Sequence, residues 1–464
     1  MTTHPADGDP FLSFWLRVRE FAVPPSMIET ATARRRAGDW AGACAAAGID
    51  VVFAPRSLAR THGRELAARV RADLRHLAPD LLRWHMPRIA PRGLLRPGLT
   101  VPLARYDPGP RAGTAGTPLH LVARTPPAWA DAGQRISLGL WDGTGPGTVR
   151  LHPHPYPGRR FRLDVHRHLW DARRAAELRV RAGADRAPGE RADPALLDLV
   201  PPGRRCAVDR WAAEAELLLE AEGRSSGPVT VRLGGRHRLH LDVVARPYGQ
   251  GPPVLRVAQG RADAARTPLV LPDAATWALP DLELLRAGAI DPGRLHPLVV
   301  GALLPEHRPA GPPPEPGGAG QPRLVDCRGA RHRIGQAGGV LSALDHDPAE
   351  VRREELLAAL TGTPLPCLRA IDEAHRRPDC LTGVRERLDH GDIAGALAVV
   401  EALLGPGAQL RDGPLRDELE TAALRGITYG LYRADLIEPG PRNRIPGTPR
   451  PRDRRSRPRR AEAR

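Results

Sequence analysis

The chain has 464 residues and a formal net charge of +16, and glycine (48) and proline (51) fill about a fifth of it, so two or three domains with turn-rich connections are expected. All 69 Lys+Arg residues are arginine, and the absence of lysine excludes Schiff-base chemistry, a P-loop lysine and a protein-kinase strand lysine. Five scattered cysteines argue against a disulfide framework, no apolar run reaches the ~18–20 residues of a membrane span, and the first residues lack a secretory signal's basic start, which points to a cytoplasmic protein with no membrane contact.

Residues 1–94 read as an N-terminal helical segment. Ser26 and Glu29 fit a capping box, Gly38 fits a left-handed helix end and Asp39 the next cap, so an αα-hairpin is expected there. Leu66, Val70, Leu74 and Leu77 recur at helical spacing and predict one amphipathic face. From 95 to 304 the period shortens towards two. Leu119–Ala123, Ile136–Leu140, Phe161–Val165, Val229–Leu233 and Leu239–Val243 predict strands of an antiparallel β-rich region with inserted helices, one of them over 209–222. Gly234-Gly235 allows the positive φ angles of a tight hairpin turn.

Residues 305–322 read as a Pro/Gly linker. Beyond it, Asp347-Pro348-Ala349-Glu350 combines a cap, a first-turn proline and a capping-box glutamate, and further helices fit 364–375, 380–390, 392–404 and 415–433. Residues 323–438 are therefore expected to be an acidic, all-helical domain, followed by a disordered arginine-rich tail at 439–464. The segment Gly38–Ala45 repeats at Gly391–Ala398 with six of eight residues identical, which we read as the same αα-hairpin used twice. The whole is an α+β fold.

The charge is unevenly placed. Residues 323–438 hold 15 arginines against 19 acids, whereas the last 26 residues hold ten against two, so half of the net charge lies in the tail. There Arg454, Arg455, Arg457, Arg459 and Arg460 are dense enough to contact phosphates without sequence preference. No aromatic residue interleaves with them, so stacking on single strands is not supported.

His152 and His154 flank a proline, and His166 and His168 lie two apart, which in a strand would place both on one face as metal ligands. The G-x-S-x-G match at Gly223–Gly227 runs from helix to strand, the reverse of a hydrolase elbow, and Gly143–Gly147 leads into no helix that could cradle a phosphate. Cys327 and His332, or Cys367 and Cys380, lack paired C-x-x-C spacing, so structural zinc is not expected. No motif unites nucleophile, base and orienting group. The leading expectation is a non-catalytic cytoplasmic interaction or scaffold protein with a protein partner and no cofactor. The alternatives are a nucleic-acid-associated protein acting through its tail, and a metal-dependent enzyme built on the four histidines.

Overall fold

The computed structural model describes residues 8–107, 117–131, 134–143, 152–186, 193–235, 237–244, 253–258, 267–307, 323–327, 330–337, 340–361, 366–376, 381–404, 410 and 412–436. The proposed tail, nearly all of the proposed linker, Cys380 and most of the Gly143–Gly147 segment lie outside these residues.

Asp9 starts α1 (Pro10–Arg17) by accepting from the amides of Phe11 and Leu12, and one π-helical turn, Val18–Ala22, continues it. Helix α2 (Pro25–Arg36) begins one residue before the expected cap. Pro25 occupies the first turn and no side chain caps it, because proline's fixed φ already suits that position. Gly38 then takes φ +79° and Asp39 caps α3 (Trp40–Ala46) by accepting from the Gly42 amide at 2.8 Å, as the αα-hairpin requires. After β1 (Ile49–Val51) come α4 (Leu58–His62), α5 (Arg64–His76), α6 (Pro79–His85) and the two-residue strands β2 (Arg88–Ile89) and β3 (Leu94–Leu95). Strands β4 (Thr100–Tyr106), β5 (Leu119–Arg124) and β6 (Ile136–Trp141) complete a sheet ordered β1-β6-β5-β4.

Val70 and Leu74 of α5, with Leu77 just after it, pack with Leu103, Leu121 and Leu138 of that sheet in one core. This core crosses residue 94 without a break. It also recruits Trp170, Leu178 of α7 (Leu178–Arg181), and Leu282, Val299 and Leu303 from far along the chain.

A second core surrounds α8 (Pro194–Leu197), α9 (Trp211–Ala221) and a sheet ordered β10-β7-β8-β9, made of β7 (Gly227–Arg232), β8 (Arg238–Val244), β9 (Val254–Val257) and β10 (Leu269–Val270). Gly234 and Gly235 turn the β7–β8 hairpin at φ +99° and +54°, as their sequence predicts. Helix α10 (Asp273–Thr276) leads out, and α11 (Pro280–Arg286) and α12 (Pro297–Leu303) return the chain to the first unit.

Three expectations need correction. The central region is not purely antiparallel, because β1 pairs parallel with β6 and β10 parallel with β7. Phe161–Val165 forms no strand; its apolar residues are held in an irregular segment by Trp170, whose indole donates to the Leu163 carbonyl at 2.9 Å. The C-terminal region is not all helical. It opens with an antiparallel sheet of β11 (Arg323–Cys327), β12 (Ala330–Ala337) and β13 (Val340–Ala343), then α13 (Pro348–Thr361), α14 (Pro366–Arg376), α15 (Leu381–His390), α16 (Ile393–Leu404) and α17 (Pro414–Arg433).

The C-terminal helices dock on the first unit through polar contacts. Arg83 of α6 is 1% exposed and donates to the carbonyls of Ala22 (2.9 Å), Gln134 (2.6 Å), Ala47 (3.4 Å) and His390 (2.7 Å). Asp50 accepts from Arg135 at 2.8 and 2.7 Å and from the Tyr429 hydroxyl at 2.8 Å, so β1, β6 and α17 meet at one carboxylate. Among the described residues no helix is long and apolar enough to cross a membrane.

Candidate functional site

A cleft of about 1320 Å³ opens where the two larger units meet. One wall is α1 and the turn from His85 to Arg96; the other is formed by Arg160–Leu163, Gly203–Arg205 and Asp273–Pro280. Its apolar lining is aromatic: Phe11, Phe14, Trp15, Phe161 and Trp277. Phe14 meets Trp15 edge-on with ring centroids 5.2 Å apart, and Trp15 rests on the buried Trp84 at 5.0 Å. Behind them the Arg19 guanidinium lies 3.7 Å above the Trp84 ring and 3.2 Å from Asp281, whose other oxygen accepts from the Trp84 indole at 2.7 Å. Burial pushes the Asp281 carboxyl upward, and Arg19 and the indole N–H oppose that shift. These contacts fix the aromatic floor in place.

The polar lining is one-sided. Seven arginines (17, 88, 96, 160, 162, 204 and 205) face two aspartates, Asp9 and Asp273. Several are neutralised locally. Arg160 pairs with Asp273 at 2.7 Å, Arg162 with Asp164 and Glu222 at 2.7 Å each, and Arg205 with Asp9 and Glu283. Arg96 and Arg204 are exposed and form no ion pair among the described residues.

Arg88 differs from all of these. Its Nη1 donates to the Gly93 carbonyl at 2.8 Å and its Nη2 to the Arg83 carbonyl at 2.6 Å, while the buried Nε meets no acceptor. Among the described residues no carboxylate pairs with it. Burial, followed by the fields of Arg83 and Arg19, pulls its pKa well below the ordinary arginine value. Beside it His85 is held neutral: burial, then Arg19, lower its pKa to about 3, and its buried Nε2 has no partner. The cleft is therefore lined by a cation with no carboxylate partner among the described residues and an imidazole nitrogen with no hydrogen bond. An anionic group entering from solvent would supply both the charge and the acceptor.

The histidines singled out in the sequence lie elsewhere. His152 already uses both nitrogens: Nε2 lies 3.0 Å from the Thr125 carbonyl and Nδ1 accepts from the His154 amide at 3.2 Å. His166 and His168 do not share a strand face. They begin a 3-10 turn, with rings edge-on and centroids 5.7 Å apart. His166 Nδ1 lies 3.0 Å from Arg181, which itself grips Glu214, and burial first and Arg181 second pull both imidazoles well below their usual value. Among the described residues these four histidines form no group of three convergent ligand atoms. Arg454, Arg455, Arg457, Arg459 and Arg460 lie outside the described residues.

No protein-family model, no curated protein and no solved structure matches the chain. The cleft is thus interpreted by its own chemistry. Sequence reasoning passed over Arg88, Arg96 and Arg204. The one available signal is position, since Arg96 precedes Pro97-Gly98 and Arg204 follows Pro202-Gly203, both turns that present side chains outward. Among 69 arginines that signal is diluted.

Proposed function

We propose that the protein is a non-catalytic cytoplasmic scaffold whose arginine-lined cleft receives an acidic segment of a partner protein, with aromatic or aliphatic side chains of that segment resting on Phe14, Trp15 and Trp277. The observation that carries this reading is Arg88, a half-buried guanidinium whose buried Nε has no partner, which lines the cleft with no carboxylate beside it among the described residues, together with two further arginines, Arg96 and Arg204, that form no ion pair there. A partly buried cation of this kind is costly alone and becomes favourable when an anion pairs with it. The aromatic floor adds apolar contact area that a bare phosphate would leave unused, which favours a peptide over a small inorganic anion.

Trp15 and Trp277 supply an intrinsic fluorescence readout. A synthetic peptide alternating glutamate with leucine and phenylalanine should quench or shift that emission and saturate, with an affinity that falls as salt rises. Arg96→Ala combined with Arg204→Ala should weaken binding about tenfold, the effect of losing two partly screened charge contacts. If inorganic phosphate or a DNA duplex saturates the cleft and the peptide does not, the partner class is wrong. If the double variant binds the peptide unchanged, the cleft is not the site.

A further inference from the structure

A second constellation lies in the C-terminal unit, far along the chain from the cleft. Cys327 ends β11, His346 follows β13, and Cys367 is the second residue of α14. One ligand atom from each of these three residues lies within 4.8 Å of the others, and both cysteines are buried. This is the one such group of histidine, cysteine and acidic side chains among the described residues. A fourth residue stands beside it. The His332 ring of β12 stacks on His346 with centroids 4.1 Å apart and planes inclined by 15°. Each ring has a buried nitrogen with no hydrogen-bond partner, Nδ1 of His332 and Nε2 of His346. Two sulfurs and one imidazole converge from β11, the turn after β13 and α14, with a second imidazole, on β12, stacked against the first.

We propose that Cys327, His346 and Cys367 hold a structural zinc ion, with His332 supplying the fourth ligand when the metal is bound. The donor set matches the metal: zinc takes thiolate and imidazole ligands in a closed tetrahedron, with Zn–S near ~2.3 Å and Zn–N near ~2.0 Å. Ligand atoms on such a tetrahedron stand about 3.5 Å apart, so the three convergent atoms need only a modest contraction. His332 reaches the fourth position only by turning out of the ring stack, since a metal lies in the plane of each imidazole that binds it. Binding releases the two thiol protons to solvent and leaves both sulfurs as thiolates. No electron transfer is involved.

Two further observations support a built site. Arg333 and Asp345, the neighbours of the two histidines, are locked together: the Arg333 amide donates to Asp345 at 2.7 Å and its Nη2 at 2.8 Å. That pair fixes the register that brings His332 against His346, the role outer partners play around metal ligands. The surrounding apolar cluster consists of Cys327, Ala343, Cys367 and the partly buried Val325. Ile334 and Val325 join the sheet to the helical core as well, and a metal tying β11, the β13 turn and α14 would add a crosslink to what that burial supplies.

The test uses the full-length protein kept reduced during purification and dialysed against metal-free buffer. Elemental analysis should find about one zinc per chain, and cobalt exchanged for zinc should give the intense near-ultraviolet thiolate charge-transfer band and tetrahedral visible bands of a two-sulfur site. Cys327→Ser and Cys367→Ser should each abolish that band, and His332→Ala should keep it but release metal faster. Cys44→Ser and Cys206→Ser, at cysteines outside the cluster, should leave the zinc content unchanged. If the Cys327 and Cys367 variants fail to fold, the cobalt spectrum of the unaltered protein decides. The proposal is overturned if reduced protein neither holds zinc nor gives the cobalt band. It is equally overturned if Cys327 and Cys367 are found joined as a disulfide, a species two hydrogens lighter, that persists while zinc is offered.

Discussion

The two αα-hairpins, α2–α3 near one end of the described chain and α15–α16 near the other, solve one problem with the same residues. In each, an arginine five residues upstream grips the capping aspartate, at 2.8 Å for Arg34–Asp39 and 2.9 Å for Arg387–Asp392. The aspartate accepts from a glycine amide three residues on, Gly42 at 2.8 Å and Gly395 at 2.9 Å. The glycines at the bend, Gly38 and Gly391, take φ +79° and +82°. A Cβ at Gly42 or Gly395 would collide with the aspartate oxygen, so the third-position glycine is part of the cap. What differs is the setting. The first pair stands in solvent, with side chains 53% and 44% exposed, and the second is largely enclosed, at 23% and 10%. Identical local chemistry should carry unequal weight, because water and salt screen the first ion pair and not the second.

The largest effect should come from Arg83, which joins the hairpins by donating both to Ala47 just after α3 and to His390 at the end of α15. Arg83→Met strips four buried carbonyls of a charged donor and should cost about 3–4 kcal/mol in denaturant unfolding. A loss below about 1 kcal/mol would show that the hairpins are not coupled through it. Next, Asp392→Ala removes both cap and ion pair and should cost about 1–2 kcal/mol. Gly395→Ala sharpens the point. Alone it trades a gain in helix propensity against a displaced cap and should be near neutral, whereas in the Asp392→Ala background it should stabilise by about 0.5–1 kcal/mol. A strictly additive double-mutant cycle would refute the steric link.

Asp39→Ala should have a smaller effect than Asp392→Ala, and one that shrinks further in molar salt. The Gly42 amide first, and Arg34 second, hold the Asp39 carboxyl below its usual value. Its contribution is therefore complete above the unfolded-state pKa of about 3.9 and is lost as pH falls through the lower folded value. The Gly42 amide proton resonance, followed by NMR down an acid titration, should move with a midpoint below that of an unstructured aspartate. A midpoint at or above it would mean that the cap does not form in solution.

The duplicated octapeptide made this device readable in advance, because Gly-Asp carries its own turn geometry. The same holds for the Gly234-Gly235 hairpin and the Leu119, Ile136 and Leu239 strands, whose expected bounds match the observed ones to within a residue. Local signals failed where distant partners decide the outcome. Phe161–Val165 alternates like a strand, yet no neighbouring strand pairs with it. The sheet at 323–343 was hidden because Arg331, His332 and Arg333 place one apolar residue, Ile334, in a run that reads as polar. The cleft was invisible for a related reason: Arg88 is distinguished only by lacking a carboxylate, a property of its surroundings. Spacing likewise favoured His166 and His168, two residues apart, over Cys327, His346 and Cys367, which lie up to forty residues apart and are united by the sheet and α14.

The return of α11 and α12 to the first core has a consequence for biosynthesis. The strands of that sheet have all been translated by Trp141, yet the apolar face they share with Leu282, Val299 and Leu303 lacks those partners until α12 leaves the ribosome. At ordinary elongation rates of about 5–20 residues per second the gap lasts on the order of ten seconds or more. During it the β7–β10 unit, contiguous in the chain and served by its own core, is able to fold first. The order of completion would then invert the order of translation, and the nascent first unit is the stretch most in need of a holding chaperone.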